Sequence, residues 1–362
     1  MYQEYPTPAV VVELNIAERN VKKLIEENRK YNIAHRPHIK PHKSIFFAKM
    51  QLAAGAQGIT CAKLGEAEVM ARGGIRDILI AFPLIGEDKL NRLGELTKIC
   101  KVKTIVNSVE GAKGLSALGE KLGKKLETLI EVDSGINRGG VKPFEDTLAF
   151  AEKIRGLSGI NIIGLLYYGG NIYGENTKEG IIKICQQEHD EVVGTAELLR
   201  QHGFNLTMLS AGSSFSAKFC EYLEGITEVR SGNYIFNDCA QLSVNLITEE
   251  DCALRIVSTV VSRPDQQTAI IDAGSKTLTT DLCKFGTGYG YIMGRPDITI
   301  YKLNEEHGFL RSDKAINLNI GDKIAIIPNH ACVIPNLAEE IYGLRDGQFE
   351  QMIPVEARGK NV

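Results

Sequence analysis

The chain has 362 residues, 42 Lys+Arg against 45 Asp+Glu, a formal net charge of −3, 43% hydrophobic residues and no Trp. This balance excludes the low-hydrophobicity, high-charge signature of disorder, and no Lys/Arg-rich block is available to neutralise a nucleic-acid backbone. Apolar stretches such as Ala9–Val12 and Ile162–Leu166 fall far short of the roughly 20 residues that span a bilayer. Met1-Tyr2-Gln3-Glu4 carries neither a basic nor an apolar leader, so the expectation is a cytoplasmic protein. Its eight cysteines are scattered without a Cys-x-x-Cys pair, which reads as free thiols rather than a disulfide framework.

At about 150 residues per domain the length suggests two domains, although an α/β barrel takes about 250 alone. Ala9–Leu14 reads as a strand, and Asn15 with Glu18 three residues on is placed to cap a following helix. Short apolar runs at 34–39, 58–61, 77–81, 103–106, 127–132, 161–166, 207–210 and 226–230 then alternate with amphipathic stretches. The clearest predicted helix covers Lys178–Gln201. Eight strand-like runs with helices between them match a (β/α)8 TIM-type barrel, with a doubly wound open sheet as the competing arrangement. Beyond about residue 245 come strand-like runs at Ala253–Val261, Thr268–Asp272, Ile298–Lys302 and Lys323–Ile327, and a helical stretch only at Leu337–Tyr342. The division expected is a barrel over 15–245 and a β domain from 1–14 plus 246–362.

In a barrel, functional groups collect just after the strands. Five polar clusters lie there: Arg36-Pro37-His38-Ile39-Lys40-Pro41-His42-Lys43, Glu131–Gly140, Tyr167–Tyr173, Ser210–Ser214 and Arg230–Tyr234. The last two are Gly/Ser-rich turns after the seventh and eighth strands, where barrels often bind phosphate; each alone also reads as an ordinary βα turn. Lys40, crowded by Arg36, His38, His42 and Lys43, is the natural nucleophile beside a phosphate-anchored cofactor. In the β domain, His330 and Cys332 are two apart, so on a strand they share a face and can ligate one divalent ion; the bland reading is an incidental core pair. Two ligands would leave the remaining positions for water or substrate. The Gly286-x-Gly288-x-Gly290 run does not open a helix after a strand and reads as a turn.

Arg36-Pro37-His38-Ile39-Lys40 with His42-Lys43 resembles the cofactor-lysine signature of the D-serine dehydratase and D-threonine aldolase family, alanine-racemase-like pyridoxal phosphate enzymes. The resemblance extends through Thr7-Pro8, Gly58–Glu68, Val132–Arg138, Arg230 with Gly232-Asn233-Tyr234, Asp272–Lys276, Glu305–Gly308 and Pro328–Cys332. It implies a barrel followed by an antiparallel β domain, with Lys40 holding pyridoxal 5'-phosphate and acting as the catalytic base. It further implies Arg138 at the pyridine nitrogen, the turns with Gly212, Ser213, Gly232 and Asn233 at the phosphate, and His38, Tyr167 and Tyr173 lining the cofactor. His330 and Cys332 would hold a divalent metal, zinc or manganese, and the enzyme would be a homodimer acting on a small D-amino acid. Pro41 stands where the family usually has Thr, which removes one donor.

The chemistry implied is elimination of water from D-serine or another D-3-hydroxy amino acid, giving a 2-oxo acid and ammonia. Three alternatives share parts of the site. A D-threonine aldolase would release glycine and an aldehyde, and resembles His-x-Asp rather than His-x-Cys at the metal. A hydroxyaspartate-specific member would want a further cation. A non-catalytic pyridoxal phosphate carrier would share the barrel and the lysine but have no use for residues 250–362.

Overall fold

A computed structural model describes Tyr2 and residues 4–362. The first strand, β1 (Ala9–Glu13), is buried throughout and runs into the helix Leu14–Arg29. Asn15 lies inside that helix, not at its cap: its amide donates to Asp346, and Glu18 pairs with Arg345 at 2.9 Å. Leu14 takes helical geometry two residues before Ile16, where the capping pattern would start the helix, because strand and helix adjoin without a loop.

Eight short strands follow: β2 (Ala34–His35), β3 (Ile59–Cys61), β4 (Asp77–Ile80), β5 (Lys101–Val106), β6 (Leu126–Val132), β7 (Ile160–Tyr167), β8 (Met208–Ala211) and β9 (Glu228–Val229). They pair only in parallel, in the order β2-β9-β8-β7-β6-β5-β4-β3. The two ends of this order meet just beyond β2, where His38 bridges Thr60 and the Ile39 N–H donates to the Thr60 carbonyl at 2.9 Å. The sheet therefore closes, which decides for the barrel over the open sheet. Helices of nine residues or more follow β2 to β7, the longest being Lys178–Gln201. After β8 there are only two single-turn 3-10 segments, Ser216–Lys218 and Cys220–Tyr222.

One face of these strands carries a core cluster of Leu79, Ile105, Leu129, Ile163, Leu166 and Met208. Asp77, two residues before Leu79, shares its face and belongs to a polar chain: the 4%-exposed Arg36 pairs with Asp77 and, at 2.9 Å, with Glu228. Lys103 reaches Asp77 at 3.0 Å, Ser210 donates to Glu228 at 2.6 Å, and Arg230 donates to Ser210 at 2.8 Å. Burial pulls the Arg230 guanidinium down to about 10, against the pull of Glu228 and Glu188. Arg36 is thus committed to carboxylates within the barrel rather than crowding Lys40.

The remaining strands are β10 (Leu254–Ser262), β11 (Thr268–Ile271), β12 (Tyr291–Ile292), β13 (Thr299–Leu303), β14 (Gly308–Arg311), β15 (Lys323–Ile327), β16 (Glu340–Arg345) and β17 (Gln348–Pro354). With β1 they form one sheet in the order β11-β14-β13-β12-β15-β10-β1-β16-β17, and β11 also pairs with β10, closing six strands into a small barrel. All pairings are antiparallel except β1 with β16. The helix expected over Leu337–Tyr342 is not there. Ile334–Leu337 makes a single helical turn, and from Glu340 the chain is β16, whose buried Ile341 and Leu344 pack within the sheet.

By its contacts the chain divides into two compact units. One is Lys23–Lys40, Phe47–Gly232 and Gly359–Val362, which holds the parallel barrel; the other is Met1–Lys22, Pro41–Phe46 and Asn233–Arg358, which holds the antiparallel sheet. The sequence-based boundaries at 15 and 245 differ from these, and the six-residue excursion Pro41–Phe46 has no counterpart in them. Arg36→Met would leave the buried Glu228 without its paired guanidinium and Asp77 with Lys103 alone. The expected loss is about 3–5 kcal/mol, read as a lower denaturation midpoint; a loss below about 1 kcal/mol would contradict this role for the network.

Candidate active site

In the barrel unit, Lys40 follows the closing seam directly. Its N–H donates to His38 Nδ1 at 3.4 Å, and its half-buried ammonium has no hydrogen-bond or ion-pair partner among the described residues. Nζ stands 5.8 Å from the centre of the Tyr168 ring, and the Arg138 guanidinium lies over the same ring at 4.5 Å. Two of the residues expected at the cofactor are therefore brought together on one aromatic side chain. Tyr168 itself was not singled out in the sequence, because Tyr167 and Tyr168 are adjacent and only the strand's phase tells them apart. Tyr167 is buried and its hydroxyl donates to Glu191 of the helix Lys178–Gln201 at 2.7 Å. Alternation along β7 then turns Tyr168 the other way, onto the face shared with Leu166. Tyr167 thus serves the helix layer, contrary to its expected place at the cofactor. Tyr173, also expected there, packs its ring on Phe215 at 4.7 Å.

The turn after β8 is built differently from a free phosphate loop. Gly212, at φ +81, gives its N–H to Glu188 at 2.8 Å, and the Ser213 N–H goes to Ser216 Oγ at 2.9 Å. Ser213 Oγ accepts in turn from the N–H groups of Phe215 and Ser216. A side chain at 212 would place its Cβ 2.6 Å from that of Val229, so glycine is required on two counts. The N–H groups of Gly212 and Ser213, expected at the phosphate, are already used by the protein. Gly232, which ends this stretch of the barrel unit, keeps a backbone N–H with no acceptor among the described residues. Glu131, in the field of Arg138, accepts from Asn107 at 2.8 Å, and burial pushes its carboxyl up.

In the second unit, Asn233 donates its amide to Asp238 at 2.5 Å and leaves a buried Oδ1 without a partner. Asp238 is buried, accepts from the Ala331 N–H at 2.9 Å, and so pins the turn that carries His330 and Cys332. Asn329 fastens the same turn from the other side, donating to the carbonyls of Asp281 and Gly288 at 3.0 and 2.8 Å. His330 Nδ1 stands 2.8 Å from Asp281 Oδ2. The Cys332 side chain and these carboxylates raise the imidazole to about 10. The two residues sit on a turn before Ile334–Leu337 rather than on a strand; β15 ends at Ile327 because Pro328 follows it. Among the described residues no three His, Cys, Asp or Glu side chains form a metal-ligating group.

The residues fit the groups the sequence implied. A lysine amine without a protein partner, beside an arginine held on an aromatic ring, suits a covalently held pyridine ring. An unused backbone N–H suits an anion, while an imidazole and a thiol on one pinned turn suit a zinc-like ion.

Residues 12–239 match the alanine racemase N-terminal domain and residues 253–344 match the "Putative serine dehydratase domain". A D-threonine aldolase of Arthrobacter sp is 32% identical over 358 residues, 98% of this chain and 93% of its own. The D-threo-3-hydroxyaspartate dehydratase of Delftia sp. (strain HT23) is 33% identical over 346 residues, 90% of each chain. Its solved structure superposes with a TM-score of 0.89, at 32% identity, covering 97% of this chain and 98% of that one. Solved variants of it replace a His and a Cys two positions apart by Ala, the Cys variant being in a metal-free form. The D-threonine aldolase of Filomicrobium marinum superposes with a TM-score of 0.92 at 27% identity, covering 100% and 98% of the two chains.

Burial holds the Glu188 carboxyl above its ordinary 4.5. The native protein then binds this proton more tightly than the unfolded chain, so this group's contribution falls as pH rises from about 4.5 through the folded pKa. Urea titrations between about pH 4.5 and 8 should show wild type losing stability relative to Glu188→Gln as pH rises. A pH-independent difference would contradict a buried, proton-retaining Glu188.

Proposed function

Since the chain belongs to the D-serine dehydratase and D-threonine aldolase family of alanine-racemase-like enzymes, we propose that it is a metal-assisted pyridoxal phosphate lyase. The reaction is elimination of water from a D-3-hydroxy amino acid, with D-serine and D-threo-3-hydroxyaspartate as leading substrates. The observation that carries the choice of elimination is the His330-x-Cys332 turn, whose spacing equals that of the His and Cys replaced in the Delftia dehydratase variants.

When bound, pyridoxal phosphate supplies an electron sink for charge left at Cα and a divalent ion supplies a Lewis acid at the β-hydroxyl. The rest falls to the protein. Lys40 would hold the cofactor through its Nζ, and the same amine would be the base for the α-proton. Arg138 would serve the pyridine nitrogen as a guanidinium donor, which would keep that nitrogen unprotonated. The Tyr168 ring fixes Arg138 by a cation–π contact worth about 0.5–1 kcal/mol. The Gly232 N–H would contribute to holding the phosphate, and His330 and Cys332 would hold the ion.

A second reading has independent support. The Arthrobacter and Filomicrobium relatives are D-threonine aldolases that match nearly the whole chain, and the same Lys40 and metal turn could serve cleavage of Cα–Cβ. Incubation with D-threonine, pyridoxal phosphate and zinc separates the two. 2-Oxobutanoate and ammonia are expected; glycine and acetaldehyde would establish the aldolase instead. Lewis-acid assistance is worth several kcal/mol, so Cys332→Ala should lower turnover by roughly 10²–10³-fold while the bound-cofactor absorbance remains. Unchanged turnover in that variant would remove the metal from the reaction.

A further inference from the structure

We infer that Asp281 is a positioning residue for His330, and that a strained turn at Thr279 holds Asp281 in register. The inference deepens the proposed metal role of His330 and Cys332 and rests on it. A carboxylate can only accept, so the 2.8 Å contact between Asp281 Oδ2 and His330 Nδ1 places the proton on Nδ1. That leaves Nε2 as the nitrogen available to a cation, and the contact fixes the plane of the ring.

His330 is an exposed side chain, held between Cys332 on its own turn and Asp281 from the segment before β12. Asp281 is itself anchored through its backbone at both ends. Its carbonyl accepts from the 3%-exposed Asn329, the residue before His330, at 3.0 Å, and its N–H donates to Thr279 Oγ1 at 3.1 Å. Positioning carboxylate and positioned imidazole are thus tied by backbone as well as by side chain, across 49 residues of sequence.

Thr279 is the unusual member. It is buried and adopts φ 65, ψ −179, a region that glycine occupies freely and a β-branched residue almost never does. The strain cannot come from the helical turn Ser275–Leu278 alone, which glycine would terminate more easily. What threonine supplies and glycine cannot is the hydroxyl that receives the Asp281 N–H. The hydroxyl is kept at the expense of backbone comfort, and the residue it restrains is the one that aims His330.

The test is competition for Zn2+ between the pyridoxal phosphate-loaded protein and a chromophoric chelator, with thermal midpoints recorded alongside. Asp281→Ala should weaken zinc binding by roughly 10–100-fold, and Asp281→Asn, which retains an acceptor oxygen, should fall between. Thr279→Gly should raise or maintain the thermal midpoint yet weaken zinc binding, whereas Thr279→Ser, with its hydroxyl, should bind zinc as wild type does. A purely structural role would move midpoint and affinity together. Asp281→Ala within about twofold of wild type would overturn the inference, as would Thr279→Gly with undiminished affinity; these thresholds sit well below the second-shell effect. If wild type and Cys332→Ala bind zinc equally poorly, the metal reading itself fails, and the inference falls with it.

Discussion

Closure of the parallel barrel is the constraint on which the placement of Lys40 depends. Eight strands leave one seam, and here it runs along a segment with only two residues of regular strand. The segment 34–39 compensates with bonds on both sides. Ala34, Arg36 and His38 donate to the carbonyls of Thr227, Val229 and Ser231 at 2.9 to 3.0 Å. On the other side Gln57 and Thr60 donate to the carbonyls of His35 and Pro37, and Ile39 donates to Thr60. Pro37 is tolerated because its carbonyl, and not an N–H, is what the neighbouring strand uses. Lys40 is the first residue past this ladder, so its direction is inherited from a backbone bonded on two sides.

Beneath the seam the barrel is not filled by apolar layers alone. Arg36, Asp77, Lys103, Glu228, Ser210 and Arg230 form a continuous polar chain through strands that are distant in sequence. Such a chain adds little net stability over a packed apolar core, but breaking it is costly, which makes register errors at the seam expensive. The second unit uses polar clamps differently. There Asp238, Asn329 and Asp281 hold a single turn from three directions, and the fixed object is an imidazole and a thiol rather than an amine.

Much of this was legible in the sequence. The eight strand runs, the helix Lys178–Gln201 and the strand Lys323–Ile327 fall where hydrophobic periodicity places them, because parallel strands covered on both faces read as continuous apolar runs. The C-terminal strands were harder. Glu340–Arg345 carries Gly343 within it, and its apolar residues at 341 and 344 imitate a helical spacing. Asn15 looked like a cap because sequence shows a capping residue but not that strand and helix join without a loop. Lys40 and Arg138 in the barrel unit, and His330 and Cys332 in the other, were singled out through motif resemblance. Tyr168, Glu188 and Asp281 were not, since each acts through a partner from 24 to 49 residues away or through strand phase, and neither leaves a local pattern.

The most direct test of the arrangement is to load the protein with pyridoxal phosphate, reduce with borohydride and locate the label by peptide mass spectrometry. The label is expected on the peptide containing Lys40 and on no other. A label on a different lysine, or none at all, would contradict a barrel whose seam exists to aim Lys40 at the cofactor.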